Sequence, residues 1–125
     1  MPAWTEEELD RMGAADELEI APLRRDGTLR AARPIWVVRV GDSLYVRAAY
    51  GPGSAWHRVA RMSGQARISA GGVEMDVNVQ DADSGVLDDV DTAYREKYGR
   101  RYATIVDSVT DADHRATTLL LTPRT

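Results

Sequence analysis

Trp36, Arg47, Tyr50, Ser54, Trp56 and His57 lie within one stretch, PIWVVRVGDSLYVRAAYGPGSAWHRVAR from Pro34 to Arg61, and their types could serve a flat, charged ligand. Gly41-Asp42 reads as a two-residue turn, Gly first as a type II′ turn prefers. Counting from that turn sets Trp36 opposite Arg47 and Val38 opposite Tyr45 on one face. Ile35, Val37, Leu44, Val46 and Ala48 share the other, which is aliphatic core. The first face carries an indole, a phenol and a guanidinium, which can stack on a planar ligand and match its charge. The same pairing also serves as a cation–π contact covered by a helix, and both readings stand. After the hairpin, Tyr50-Gly51-Pro52-Gly53 is a Gly-rich loop and Ser54 a natural N-cap for a short helix whose face is Ala55, Val59 and Met62. A helix N-terminus behind such a loop offers N–H groups to an anion, although most such loops merely turn the chain. His57 on that helix has an ordinary pKa suited to proton transfer.

The rest of the chain must position this stretch. With 125 residues the chain is read as one domain, 1–125, with a single core. No apolar run is long enough to cross a bilayer, and the acidic start lacks the pattern of a signal segment, so a soluble cytoplasmic protein without membrane contact is expected. The absence of cysteine excludes disulfides, thiolate nucleophiles and Cys-based metal sites. His57 and His114 are far apart, and the Asp88, Asp89, Asp91 cluster lacks calcium-loop spacing, so no metal site is expected. The net charge of −4 is uneven: residues 1–20 sum to −6, 21–70 to +7, 71–98 to −6 and the remainder to +1. Nine arginines lie between Arg24 and Arg67, a block that either faces an anionic ligand or pairs with the acidic flanks. Overall acidity and the lack of a recognition motif argue against nucleic acid.

Taken in order, Thr5 and Glu8 form a capping box, and Trp4 with Leu9 a hydrophobic staple, for a helix over 5–15. Glu17 to Ala21 alternates as a half-buried strand, and Asp26-Gly27 is a type I′ hairpin signal requiring positive φ at both positions. Leu29 onward returns antiparallel, and Pro34 demands an edge or a bulge. QARISA, Gly71-Gly72, VEMDVNV forms a second hairpin, pairing Ala70 with Val73, Ile68 with Met75 and Ala66 with Val77 inward, and Arg67 with Asp76 outward. Residues 83–110 form a helical insert with Val86, Leu87, Val90, Ala93, Tyr94 and Tyr98 on one stripe and Gly99 as its stop. The last strand, 117–122, is interior. The expectation is a mainly β, α+β domain whose barrel core is 17–79 plus 117–122, with six antiparallel strands and short flanking helices.

Arg25-Asp26-Gly27 with Arg30 and Pro34, then LYVRAAYG, then Gly53-Ser54-Ala55-Trp56-His57-Arg58, resemble the flavin split-barrel superfamily. The likeness, over Glu17 to Val79, is to its small deazaflavin (F420)-dependent nitroreductase branch and to the related DUF2255 family. The resemblance implies a split β-barrel, F420 or FMN as cofactor, and a homodimer with the cofactor at the subunit boundary. It further implies a phosphate near Arg25 and Arg30, and a ring over the Pro34 to Val38 strand and the Tyr50 to Trp56 loop. On this reading Arg25, Arg30, Trp36, Arg47, Ser54 and Trp56 bind the cofactor, and Tyr50 or His57 donates a proton as a small organic acceptor is reduced. The same barrel without a redox cofactor would be a small-ligand binding protein or a cofactor-independent enzyme.

Overall fold

The computed structural model describes residues 4–51 and 53–124. Helix α1 is Glu6–Ala14, opened by the expected capping box: Glu8 N donates to Thr5 Oγ1 at 3.1 Å and Thr5 N to Glu8 Oε1 at 2.8 Å. Trp4 and Leu9 are both buried in one core, and the Trp4 indole donates to the Leu121 carbonyl at 3.1 Å. The helix is thus anchored to the far end of the chain as well as to its own first turn.

Seven strands form one antiparallel sheet: β1 (Leu18–Pro22), β2 (Arg33–Ile35), β3 (Val37–Val40), β4 (Ser43–Val46), β5 (Gln65–Ala70), β6 (Val73–Asp81) and β7 (Leu119–Pro123). Their order is β2-β1-β5-β6-β7-β4-β3, which makes a nearly closed split barrel. The strand count corrects the expected six. Pro34 sits in edge strand β2, where its missing N–H costs no ladder bond. Only Trp36 then separates β2 from β3, at the opposite edge of the same sheet, so one residue joins the two edges.

The hairpin registers follow from turn chemistry. Gly41 has φ of 59° and Val38 faces Tyr45, as counted; Gly71 and Gly72 have φ of 57° and 82°, and every β5–β6 pair falls as read. The Arg67–Asp76 pair closes at 3.0 Å on the exposed face. The first hairpin departs from the expected type I′ turn: Gly27 alone has positive φ, and the Asp26 carboxylate accepts from Thr28 N at 3.0 Å and Thr28 Oγ1 at 2.6 Å. An Asx-type side-chain bond replaces the second left-handed residue. β7 lies between β6 and β4, an interior strand as expected.

Helix α2 is Ala55–Ser63, and α3, Leu87–Val109, follows a 3-10 turn at Ser84–Val86. Gly99 does not end α3; the helix runs through it and bends at Tyr102 (φ −137°, ψ 42°). The continuation is held by Val106 and Val109, buried with Val38, Tyr45, Val90, Tyr94 and Tyr98 in a second core outside the barrel. A short helix α4 (Ala112–Arg115) leads into β7. Among the described residues no helix is long and apolar enough to cross a membrane, and no group of acidic, His or Cys side chains could hold a metal ion.

Candidate functional site

The hairpin face expected to stack on a ligand is covered by α3. Tyr45 and Arg47 are both buried, and the Arg47 side chain is 0% exposed against a 7% exposed Asp91. Arg47 Nη1 donates to Asp91 Oδ1 at 2.6 Å and to the Val109 carbonyl at 2.9 Å. Its Nη2 donates to the Leu87 carbonyl at 3.2 Å and its Nε to Thr118 Oγ1 at 2.8 Å. The guanidinium therefore ties both ends of α3 to the barrel, and its cation–π partner is Tyr94, at 5.3 Å from the ring centroid, instead of Trp36. The partly exposed Arg115, 3.3 Å from Asp91 Oδ2, flanks this buried pair.

Trp36 is half-buried and stacks on Tyr98 with ring centroids 4.1 Å apart and planes 4° off parallel. Tyr98 fixes this stack by accepting from Val37 N at 3.2 Å and donating to the Asp16 carbonyl at 2.8 Å; burial pushes its pKa up to about 12. Beside it Lys97 donates to the Val37 carbonyl at 2.6 Å, and burial pushes its pKa down to about 8. The link between the barrel edges is thereby held by α3, which fixes where Trp36 can stand.

Next to Trp36 opens a cleft of about 560 Å³. Arg33, Pro34, Ile35 and Trp36 form one wall and Ser54, Ala55 and Trp56 another. Tyr94, Ile105 and Val109 of α3 close it, with Arg47 behind and Glu17 and Tyr50 at its margin. Tyr50 is 96% exposed. Among the described residues, two polar atoms of this lining are buried without a hydrogen bond of ordinary geometry: Ser54 Oγ, and the Tyr94 hydroxyl, which only the Arg47 backbone approaches. Burial drives the Tyr94 pKa far up, so that phenol stays protonated. Such orphans are uncommon in folded proteins, because an unpaired buried hydroxyl costs about 1–3 kcal/mol.

The Gly-rich loop shapes this end. Gly51, at φ of 88°, donates to the Ala48 carbonyl at 3.0 Å and accepts from Ser54 N at 3.2 Å; Pro52 lies outside the described residues. Ser54 stands at the N-cap of α2 with extended backbone, yet its side chain makes no capping bond, contrary to expectation. The buried face of α2 is Trp56, His57 and Ala60; the expected face of Ala55, Val59 and Met62 is not it, and Met62 is 75% exposed. Burying the larger indole removes more apolar area from water than burying the methionine, which decides the roll of so short a helix.

The structure brings Trp36, Arg47, Tyr50, Ser54 and Trp56 to one cleft and leaves Arg25, Arg30 and His57 out of its lining. Arg25 is exposed on the hairpin turn, and Arg30 is half-buried beyond it. His57 is buried with Nε2 2.9 Å from the Thr117 carbonyl; a carbonyl only accepts, so Nε2 carries the proton, and desolvation lowers the ring's pKa. It is a neutral structural imidazole. Of the nine arginines in the basic block, four pair with the acidic flanks: Arg39 with Glu6 and Asp10, Arg47 with Asp91, Arg61 with Asp81 and Arg67 with Asp76. Arg33 and Tyr94 were missed as site residues. Arg33 was one of many in the basic block, while Tyr94 sat on an apolar helical stripe that reads as core.

Known structures share this architecture at low sequence identity. The chain is similar to the conserved hypothetical protein Rv2991 of Mycobacterium tuberculosis (13% identity, TM-score 0.66), over 99% of this chain and 83% of that one. It is similar to HutZ, the heme storage protein of Vibrio cholerae (15%, TM-score 0.66), over 96% and 90%. An F420 reductase matches at 14% identity and a TM-score of 0.55, over 98% and 97%. No curated protein matches the chain in sequence. These structures share the split-barrel fold of this chain. The family described as "Uncharacterized protein conserved in bacteria (DUF2255)" matches residues 8–121, and the chain belongs to it.

Proposed function

We propose that the cleft holds the ring of a flavin or deazaflavin, FMN or F420 in the expected forms, and that the protein is a cytoplasmic oxidoreductase acting on a small organic acceptor. The observation that carries this reading is the pair of unpartnered hydroxyls, Ser54 Oγ and Tyr94 OH, in a cleft walled by Trp36 and Trp56. A flat heteroaromatic ring with a polar edge satisfies both features at once, and the volume lies within the usual range for such ligands. Named relatives of the same fold include an F420 reductase. Heme, which HutZ stores, fits less well: the described lining contains no His, Cys or Met, Tyr94 is kept protonated, and Tyr50 stands only at the margin.

When bound, the ring would supply the two-electron chemistry. The chain's own part is positional. Trp36 and Trp56 exclude water, Ser54 and Tyr94 orient the polar edge, and the first N–H groups of α2 face the same end without a side-chain cap. The exposed Tyr50 hydroxyl is the group left to hand a proton to an acceptor at the margin, because His57 is turned away. A homodimer would cover Tyr50, Tyr102 and Ile105, which are exposed apolar or aromatic side chains at or near this margin.

The test is the absorbance spectrum of purified protein, mass spectrometry of whatever denaturation releases, and titration with FMN, F420 and riboflavin followed by tryptophan fluorescence. A bound or titratable ring supports the proposal; failure of FMN, F420 and riboflavin alike to bind at saturating concentration overturns it. A second reading, a small-ligand binding protein without redox chemistry, is favoured by the absence of Arg25, Arg30 and His57 from the cleft. It predicts binding of aromatic ligands with no turnover of any acceptor.

A further inference from the structure

Resting on that reading of the cleft, we infer that the site takes its ring without a terminal phosphate, and that Glu17 is the residue that sets this preference. Among the described residues, the charged side chains lining the cleft are Glu17, Arg33 and Arg47. Arg47 is compensated by Asp91, and its Nε, both nitrogens of its fork and the flanking carbonyls are already committed to four hydrogen bonds. Arg115 is in turn matched by Asp88 at 2.7 Å and by Asp91. That leaves the single positive charge of Arg33 against the single negative charge of Glu17, both exposed on the same margin. Lys97, behind Trp36, is held to the Val37 carbonyl and does not line the cleft.

A phosphate monoester carries about two negative charges at neutral pH and is normally met by Arg or Lys forks in charge-assisted bonds. The uncapped start of α2 contributes the equivalent of only about half a positive charge, suited to a polarised carbonyl. The basic residues Arg24, Arg25 and Arg30 stand on or just after the turn that precedes Arg33, and none of them lines the cleft. That turn also carries its own anion: Asp26, whose pKa is lowered chiefly by its hydrogen bonds to Thr28, holds the Thr28 N–H and hydroxyl that a phosphate could otherwise use. The cleft is electrically balanced where a phosphorylated ligand would need an excess of positive charge.

The experiment compares riboflavin with FMN, by tryptophan quenching, on the full chain at low and moderate salt. The wild type is expected to bind riboflavin at least as tightly as FMN, with little salt dependence in the ratio. Glu17→Gln, an exposed change that should not disturb folding, should shift the ratio toward FMN by about threefold or more at low salt, because it leaves Arg33 unopposed. FMN binding tenfold or more tighter than riboflavin in the wild type overturns the inference and leaves the ring-binding proposal standing. An unchanged ratio in Glu17→Gln overturns the role of Glu17. Binding of neither ring, with F420 also silent, overturns the ring-binding proposal and this inference with it.

Discussion

Replacing Arg47 with alanine separates a structural guanidinium from a ligand-binding one. The variant removes four hydrogen bonds, leaves the 7% exposed Asp91 with only the 3.3 Å contact to Arg115, and strips the Val109 and Leu87 carbonyls of their donor. Breaking one partner of a buried ion pair costs about 3–5 kcal/mol, since the surviving charge stays desolvated. For a chain of this length each kcal/mol shifts Tm by about 4 °C, so the midpoint should fall by roughly 12–20 °C. Urea unfolding followed by far-UV circular dichroism measures the loss directly, with Arg47→Met/Asp91→Leu as the companion. The double variant should recover part of the deficit, because two apolar side chains leave no charge stranded and Arg115 can turn to solvent. A loss of less than about 1 kcal/mol in Arg47→Ala, or a double variant worse than the single, would refute the assignment of Arg47 as the anchor of α3.

Tyr94→Phe should leave ligand-free stability unchanged or raise it by up to about 1 kcal/mol, because the lost hydroxyl has no partner, while ring affinity falls. Denaturation and titration of one preparation check both, and a clear destabilisation would show that the hydroxyl is satisfied after all. His57 is depressed by burial, so below its ordinary pKa of about 6.5 the unfolded chain binds more protons than the fold. Stability should be full above that value and decline as pH falls from it toward the folded pKa, with His57→Gln showing a shallower loss between pH 7.5 and 5.5. Equal slopes would remove His57 as the cause. Gly71→Ala should destabilise more than Gly72→Ala: both have positive φ, but a Cβ at Gly71 would lie 2.5 Å from the Arg11 carbonyl oxygen, whereas at Gly72 the nearest atom is a flexible arginine nitrogen at 3.6 Å.

Much of the barrel was legible because its turns are local. Gly41-Asp42 and Gly71-Gly72 each fix a register within a few residues, and the registers then sort every side chain by face. What lay across those faces was not legible. Trp36, Tyr45 and Arg47 were separated correctly from the aliphatic face, but whether that second face met a ligand or a helix depends on α3, some fifty residues on, whose docking no local signal encodes. The same distance hid the partner of Arg47, since nothing in the spacing of Asp88, Asp89 and Asp91 marks the last as the buried one. Tyr94 was legible as an inward residue, and its unpartnered hydroxyl emerges only once the neighbouring surfaces are known.

The strand miscount and the site have one origin. Pro34 and Trp36 were read as belonging to a single interrupted strand, yet the chain uses Trp36 to cross from one edge of the sheet to the other. A split barrel has two edges to manage, and unpaired edges invite association. Here the seam is closed by side chains: Trp36 stacks on Tyr98, and Lys97 and Tyr98 bond the backbone of Val37. The cleft opens beside that seam because backbone pairing ends there while the walls on either side remain fixed. Stability of the seam and shape of the cleft are therefore coupled, and a substitution at Tyr98 that loosens Trp36 should lower ring affinity and thermal stability together, whereas one at Trp56 should act on affinity more than on the seam.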